Sequence, residues 1–417
     1  MTKQTRRIIL YISILLFAIF SAITVTYSLG YKYDFIDNSW MKTGSFRVAT
    51  NISGAEVYLN SKLIGETSFV TNNFSKGRFL PRIFEIRVQK DGYHSWQKNI
   101  EIKSGFFSDY PSIVLVNNDL TKETVASASV DFGSILTSGF DLTGKYAYFV
   151  GIQSSSRENL MFIDVSNPAN NRIFENILRN YTGGKFLIYD QNIYFLERNN
   201  VKVYNTQERM VSTLAGNVGS FYIDNGQNIF FINLRDRALY SQKIGNTELK
   251  LISESLPNEI IEIKKVQSIN NSYYLLALTS TGTEMLEYNP ANAEFIKVRS
   301  DITDFILSPD RKKITLYNKN EIWVKWLADM ASQPERRAGD EELITRFSQA
   351  ILGVEWYKNS EYLIINTGGL IKFTELDSRG GKRNTYDIAA STGKMLFDND
   401  KILITEGNEL NEVSLKP

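Results

Sequence analysis

A repeated pattern in residues 120–417 constrains the fold of this chain more than any other feature of its sequence. Each copy contains an alternating strand, a tight turn rich in Asn, Asp or Gly, a very apolar strand, and a third strand that alternates again. The clearest copy has the turn Ser308-Pro309-Asp310 followed by an apolar run at residues 314–317. The turns recur about every 35–50 residues, a spacing typical of propeller blades with four strands each. The pattern therefore predicts a mainly β fold that is largely a β-propeller.

Seven copies of the repeat can be counted in residues 120–417, and the seventh reaches only its third strand. Six outer strands are predicted between the copies, and one more is predicted at residues 123–130, ahead of the first copy. Pairing of that strand with the seventh copy would close the ring and leave no free sheet edge. We therefore expect about seven blades. Six or eight blades, or an array of two-sheet sandwiches, are the alternatives.

One copy of the repeat has a more specific signature. Its turn Ser308-Pro309-Asp310, with Trp323 downstream, resembles the repeats of TolB-type propellers. The resemblance extends over about residues 120–417 and is weaker in the other copies. It implies the propeller fold and no particular activity.

The N-terminal region predicts a membrane anchor. Residues 8–31 contain no charged side chain, and as a helix they would extend about 36 Å, enough to cross a hydrocarbon layer of about 30 Å. Lys3, Arg6 and Arg7 precede the run, so the positive-inside rule places residues 1–7 in the cytoplasm and the chain after about residue 32 outside it. Residues 32–43 are expected to be a linker. A secretory signal cleaved near Ser28-Leu29-Gly30 is the alternative.

Residues 44–117 predict a small β-sandwich, because their apolar side chains alternate with a period of two and no stretch has helical spacing. The segment resembles the PEGA domain family in the motifs Gly54-Ala55-Glu56-Val57-Tyr58-Leu59-Asn60, Gly65-Glu66-Thr67 and Val88-Gln89-Lys90-Asp91-Gly92-Tyr93, with Trp96. The resemblance implies an extracytoplasmic β-sandwich module. It transfers no catalytic residue.

The composition excludes several classes of site. With 47 basic and 46 acidic residues the net charge is +1, which argues against a nucleic-acid partner. The chain has no Cys and one His, so disulfides, thiolate sites and sites with two imidazoles are excluded. The single His94 is expected to be an exposed strand residue. No cofactor or metal site is predicted.

Few residues carry a functional hypothesis. Trp323, Trp326 and Trp356 are candidate contacts to a ligand or partner, since aromatic rings stack on sugars and anchor proteins, although core packing is the default interpretation. The charged segment at residues 328–340, with Arg336-Arg337, is expected to be a solvated loop. The carboxylates beside predicted inner strands are Asp141, Asp304 and Glu355.

Together these features predict a membrane-anchored, extracytoplasmic binding or scaffold protein of the bacterial cell envelope, without enzymatic activity. Its propeller would present a surface to an envelope protein or glycan, and one N-terminal helix would attach it to the membrane. The alternative is a glycan-acting enzyme that uses carboxylates in the propeller channel. A weaker alternative is a sensor whose propeller binds a ligand.

Overall fold

The computed structural model describes residues 3–128, 134–152, 158–175, 186–254, 256–257, 259–269 and 272–416. Within these ranges the chain forms one α-helix and 37 β-strands, so the predicted mainly β class is confirmed. The strands form a small two-sheet unit followed by a series of four-stranded sheets.

The helix α1 comprises Lys3–Ser28 and begins five residues before the predicted span. Its window Gln4–Ser28 has a mean hydropathy of 2.7 and buries none of its residues against the rest of the protein. A helix that is apolar on its faces and exposed along its apolar length needs an apolar solvent. By length and composition α1 therefore fits a single-pass membrane anchor or a signal sequence.

The segment expected as a linker is a β-hairpin, with β1 at Tyr31–Asp34 and β2 at Ser39–Lys42. Aromatic contacts hold it together, because the Tyr33 ring packs edge-on against Phe35 at 5.1 Å and Trp40 at 5.6 Å. Its base is tied to the helix end, where the backbone N–H and the hydroxyl of Thr43 both donate to the carbonyl of Gly30. The helix and hairpin therefore lead into the next unit without a free linker.

The next unit is a two-sheet β-sandwich. Its strands are β3 (Gly44–Thr50), β4 (Glu56–Leu59), β5 (Lys62–Glu66), β6 (Asn73–Phe79), β7 (Arg82–Gln89), β8 (Trp96–Ile102) and β9 (Phe107–Ile113). One sheet has the order β6-β3-β9 and the other β5-β4-β7-β8. Burial alternates along β3 and β8 because successive side chains point to opposite faces, and the inward faces share one apolar core.

Residues 122–414 form seven four-stranded antiparallel sheets in the described part of the chain. Their strands are β10 (Lys122–Ser127), β11 (Ser134–Phe140), β12 (Tyr146–Ile152), β13 (Glu158–Asp164), β14 (Asn171–Glu175), β15 (Phe186–Tyr189), β16 (Asn192–Glu197), β17 (Asn200–Asn205), β18 (Met210–Gly216), β19 (Val218–Ile223), β20 (Asn228–Asn233), β21 (Leu239–Lys243), β22 (Leu249–Ser253), β23 (Ile260–Ile269), β24 (Ser272–Thr279), β25 (Gly282–Asn289), β26 (Glu294–Ser300), β27 (Asp304–Leu307), β28 (Lys313–Tyr317), β29 (Glu321–Trp326), β30 (Glu341–Arg346), β31 (Gly353–Trp356), β32 (Tyr362–Asn366), β33 (Leu370–Glu375), β34 (Thr385–Ala390), β35 (Lys394–Asp398), β36 (Lys401–Glu406) and β37 (Glu409–Ser414). Six sheets each take four consecutive strands, from β11–β14 to β31–β34.

The seventh sheet combines strands that are distant in sequence, in the order β10-β37-β36-β35. In it Lys122 lies opposite Val413, and the Thr124 hydroxyl donates to the side-chain oxygen of Asn411 at 2.8 Å. The strand predicted at residues 123–130 thus starts at Lys122 and ends at Ser127, while residues 129–130 lie outside the described ranges.

Neighbouring sheets touch through their first strands, since β19 contacts β23, β27 contacts β31, and β35 contacts both β31 and β11. The first strands are therefore the inner strands of a propeller-like arrangement. The second strands are apolar and buried along their length, as in β28 and β32, because they lie between the sheets on either side.

Candidate functional site

The sandwich and the propeller-like part meet around one buried carboxylate, Glu375 at the end of β33. Its Oε1 lies 2.7 Å from the Nζ of Lys98, and its Oε2 accepts a hydrogen bond from the indole N–H of Trp96 at 2.8 Å. The backbone and side-chain N–H groups of Asn384 also donate to Oε1. The Lys98 and Glu375 side chains are 0% and 4% exposed. Both charges are thus paired and hydrogen-bonded, as buried charges need to be.

The sequence contained a signal for this pair that the sequence analysis did not use. Lys98 occupies an inward position of β8, in register with Trp96, Ile100 and Ile102. A lysine on the inward face of an alternating strand requires a buried acceptor, and here the acceptor belongs to the other domain.

Apolar and ring contacts extend the junction. Val114 and Val116 follow β9 and pack into the core shared by the β31–β34 sheet and the seventh sheet. The Val114 N–H donates to the hydroxyl of Tyr362 at 3.0 Å. The expectation for His94 was wrong. It lies outside any strand, is half-buried, and stacks on Tyr386 at 5.0 Å between ring centroids. Burial lowers the pKa of His94, although Asp387 opposes this.

The segment at residues 328–340 is not simply a solvated loop, because Gln333 docks on the sandwich. Its side-chain amide donates to the Phe107 carbonyl at 2.9 Å and accepts from the Asp109 N–H at 3.0 Å. Arg336 pairs with Glu342 and lies over the ring of Trp326, at 4.9 Å from its centroid. The polar composition suggested exposure, but Gln333 satisfies two backbone groups of the sandwich, and Arg336 packs within its own domain.

The sandwich and the propeller-like part leave a cleft between them, which we call the junction cleft. It encloses a cavity of about 120 Å³ beside a more open groove of about 720 Å³, and the two share Tyr110, Gln333, Pro334 and Arg379. Side chains from both domains line the cavity, among them Trp96, Tyr110, Trp326, Met330, Ser332 and Arg379. A concave surface that combines aromatic and other apolar side chains with charged ones offers contacts to a ligand.

The charged groups of the junction cleft are already paired. Arg379 forms an ion pair with Asp377 at 2.6 Å and stacks over Tyr110 at 4.0 Å. Lys313, whose side chain is 2% exposed, lies 2.8 Å from Glu361. Burial raises the pKa of Glu361, although Lys313 lowers it, and burial also raises the pKa of Tyr110 to about 12. The ion pairs hold these charged side chains of the cleft in place.

The three candidate tryptophans lie in different surroundings. Trp356 is 4% exposed and its N–H donates to the Ile306 carbonyl at 3.1 Å, so it packs in the core. Trp323 is half-buried under Arg299, whose guanidinium is 4.3 Å from the ring centroid. Trp326 is 5% exposed and forms part of the cleft wall. Partner contact through these rings remains a prediction, for which Trp326 is the best placed.

The carboxylates predicted beside the inner strands separate into two groups. Asp304 of β27 and Glu355 of β31 interact electrostatically with Lys265 of β23, and we call these three residues the inner-strand cluster. Lys265 Nζ lies 3.0 Å from Asp304 Oδ1. Asp141, in contrast, anchors a turn, because its carboxylate accepts from the N–H groups of Thr143, Tyr146 and Asp190.

The inner-strand cluster contains one acid whose pKa is raised well above its usual range. Burial raises the pKa of Glu355 to about 8, with Asp304 adding to this and Lys265 opposing it. Asp304 raises the pKa of Lys265, although burial opposes this. Among the residues that the structure describes, no group of three or more His, Asp or Glu could hold a metal ion.

The sandwich is similar to a known domain family. Residues 43–106 match the PEGA domain model. This confirms the resemblance that the sequence motifs indicated, for this part of the chain. No curated protein matches the chain.

Two solved structures illustrate the similarity of fold. Virginiamycin B lyase from Staphylococcus aureus is 11% identical, with a TM-score of 0.47 over 72% of this chain and 100% of the lyase. YCF48 from Cyanidioschyzon merolae is 9% identical, with a TM-score of 0.44 over 71% of this chain and 98% of YCF48.

Proposed function

We propose that this chain is a membrane-anchored, extracytoplasmic binding or scaffold protein of the bacterial cell envelope. In this proposal α1 spans the membrane with residues 1–7 in the cytoplasm, and the sandwich and a closed seven-bladed propeller lie outside. The basic residues before α1 support this orientation through the positive-inside rule. Pairing of β10 with β37 supports a closed ring.

The observation that carries the proposal is the junction cleft. Its walls come from both domains, and the buried Lys98–Glu375 pair fixes one wall relative to the other. A pre-formed cleft loses little conformational entropy on binding, so it can retain a ligand with few contacts. We propose that an envelope protein or glycan occupies the cleft and contacts the wall to which Tyr110, Trp326 and the arginines that cover them belong.

The test is capture of an envelope ligand by the full-length protein in detergent. Ser332 is exposed and lines the cavity, so Ser332→Trp should fill the cleft without disturbing a core. Thr247→Trp is the matched control, since Thr247 is exposed in the turn between β21 and β22. We expect one specific protein or glycan to co-purify with wild type and Thr247→Trp and to be lost with Ser332→Trp. Equal capture by all three proteins would contradict binding in the cleft.

A second candidate function rests on the inner-strand cluster. Burial raises the pKa of Glu355 to about 8 and Asp304 adds to this, a shift that suits a general acid acting on a glycan. We would expect the full-length protein to release soluble fragments from envelope glycan, and Glu355→Gln to abolish the release. Absence of product from wild type would contradict this candidate and leave the binding proposal unaffected.

A further inference from the structure

Three segments of the chain converge on the end of α1. The hairpin returns to Thr43, which donates to Gly30. The loop after β8 reaches the same point, because the Gly105 N–H donates to the Thr43 carbonyl and the Ser104 hydroxyl donates to the Lys42 carbonyl. The end of β6 joins them, with Arg78 stacked over the Tyr27 ring at 4.2 Å. We call residues 29–43, 78–83 and 103–107 the collar.

The collar exposes large apolar side chains on each of its three segments. The most exposed is Phe35 at the hairpin tip, at 82%, followed by its neighbour Ile36 at 73%. The others that expose at least half of their surface are Leu29, Trp40, Ile83 and Phe106. Ile83 and Phe106 also line the open groove of the junction cleft. The exposure of Phe35, Ile36 and Trp40 is explained neither by that groove nor by the core of the sandwich.

The charge of the collar is positive. It contains five basic residues, Lys32, Lys42, Arg78, Arg82 and Lys103, and two acidic ones, Asp34 and Asp37. Asp34 is already paired with Arg82 at 2.7 Å, and its carboxylate accepts from the Ile36 N–H. Lys103 pairs with Glu101 at 3.6 Å. Lys32, Lys42 and Arg78 remain beside the aromatic residues of the collar, a mixture that anionic lipid headgroups attract.

We infer that the collar docks on the bilayer that holds α1, with Phe35, Ile36 and Trp40 inserted among the lipid headgroups. The inference rests on the proposed role of α1 as a membrane anchor. Continuity with the helix carries it, because Gly30 lies at the helix end and must be near the bilayer surface. The hairpin strands have four residues each, so Ile36 in the turn lies at most about 17 Å from Tyr31 at the base, at about 3.3 Å per residue.

The hairpin carries the kinds of side chain that occupy the interfacial layer of a membrane. The interfacial layer on each side of the hydrocarbon is about 5–8 Å thick, and Trp and Tyr concentrate there because their rings are apolar and their N–H or O–H groups are polar. Tyr33, Phe35 and Trp40 form one aromatic cluster on the hairpin. Docking would fix the tilt of the sandwich, and through Glu375 that of the propeller, relative to the membrane.

Quenching of Trp40 fluorescence by brominated lipid tests the inference. The full-length protein would be placed at one copy per nanodisc in phosphatidylglycerol–phosphatidylcholine, with and without bromine on the acyl chains. The other tryptophans are Trp96, Trp323, Trp326 and Trp356, and all of them lie in the sandwich core or the propeller-like part. We expect bromine to reduce the emission of wild type, and Trp40→Phe to abolish that reduction while Trp323→Phe preserves it.

A further variant, Phe35→Ser with Ile36→Ser, should diminish the bromine-dependent loss while Trp40 remains in place. An identical loss in wild type and Trp40→Phe would overturn the inference. The inference would also be overturned if Trp40 were quenched or shielded only when two copies share a disc. The collar would then contact a second copy of the protein and not the bilayer. Retention of the protein in discs after an alkaline wash is scored separately. Loss of the protein from the discs would contradict the proposal that α1 is a membrane anchor, which is a separate claim from the docking of the collar.

Discussion

The Lys98 ammonium and the Glu375 carboxylate are 2.7 Å apart and buried at the point where the sandwich meets the propeller-like part. Removing either partner would leave an uncompensated charge in the junction. Trp96 and Asn384 bind the same carboxylate, so Glu375 organises contacts from both domains. Glu375 therefore ties two side chains of the sandwich to the propeller-like part.

Loss of Glu375 is expected to be costly. Glu375→Ala should lower the free energy of unfolding by about 3–5 kcal/mol, because it leaves the buried Lys98 charge without its partner carboxylate. Glu412→Ala is the matched control, since Glu412 pairs with the more exposed Lys401 at 2.9 Å and its loss should cost about 1 kcal/mol or less. Urea unfolding of the full-length protein measures both. Similar small losses for the two variants would show that the junction pair does not hold the domains.

The loop after β33 offers a steric test of the same junction. A Cβ on Gly380 would lie 2.3 Å from the backbone carbonyl of Asn99 in the sandwich, whereas a Cβ on Gly381 would meet nothing within 4 Å. Both glycines have positive φ, so alanine strains the backbone at either site by about 1–2 kcal/mol. Gly380→Ala should therefore be less stable than Gly381→Ala and should open the junction to limited proteolysis. Equal stability and equal proteolysis would contradict the contact.

In the seventh sheet, β10-β37-β36-β35, an ion pair should make the free energy of unfolding depend on pH in the acid range. Burial raises the pKa of Glu406, but hydrogen bonds from Lys122 and Thr392 outweigh burial and hold that pKa at about 2. A depressed pKa in the folded state contributes stability that is present above about pH 4.5 and is lost as the pH falls towards 2. Glu406→Gln should be less stable than wild type at pH 6 by about 1–3 kcal/mol and equal to it near pH 2. A difference that does not change with pH would argue against this pairing.

Closure of the ring can be tested with a disulfide, because the chain has no native Cys. Glu123 in β10 lies directly opposite Glu412 in β37. The double variant Glu123→Cys with Glu412→Cys should cross-link on oxidation and stabilise the fold by about 2–4 kcal/mol.

The control pairs Glu123→Cys with Glu409→Cys, since Glu409 lies opposite Ser127 instead. Thiol titration and thermal unfolding report the outcome. Free thiols in the opposed pair after oxidation would mean that β10 and β37 do not meet in solution.

The sequence predicted the features that local patterning encodes. The period of two located the sandwich strands, and the turn Ser308-Pro309-Asp310 was found because its own side chains build it, with the Ser308 hydroxyl donating to Asp310. Asp141 likewise builds a turn from residues close to it in sequence, but this role became clear only from its hydrogen bonds.

The junction could not be predicted in this way because its contacts join residues that are far apart. Trp96 and Glu375 are separated by 279 positions, and no local period relates them. The hairpin at residues 31–42 was missed because two four-residue strands are too short for alternation to distinguish them from a linker. Gln333 was missed because a polar residue in a charged segment is more often solvated than docked.

The central claim is that the sandwich and the propeller form one rigid body around the junction cleft. Spin labels on Lys62→Cys in β5 and Thr247→Cys in the propeller-like part would report it directly, in the full-length protein in nanodiscs. A rigid junction predicts one narrow distance distribution by double electron–electron resonance, unchanged by Gly381→Ala and broadened by Gly380→Ala. A broad or multiple distribution in the otherwise wild-type protein would contradict the claim.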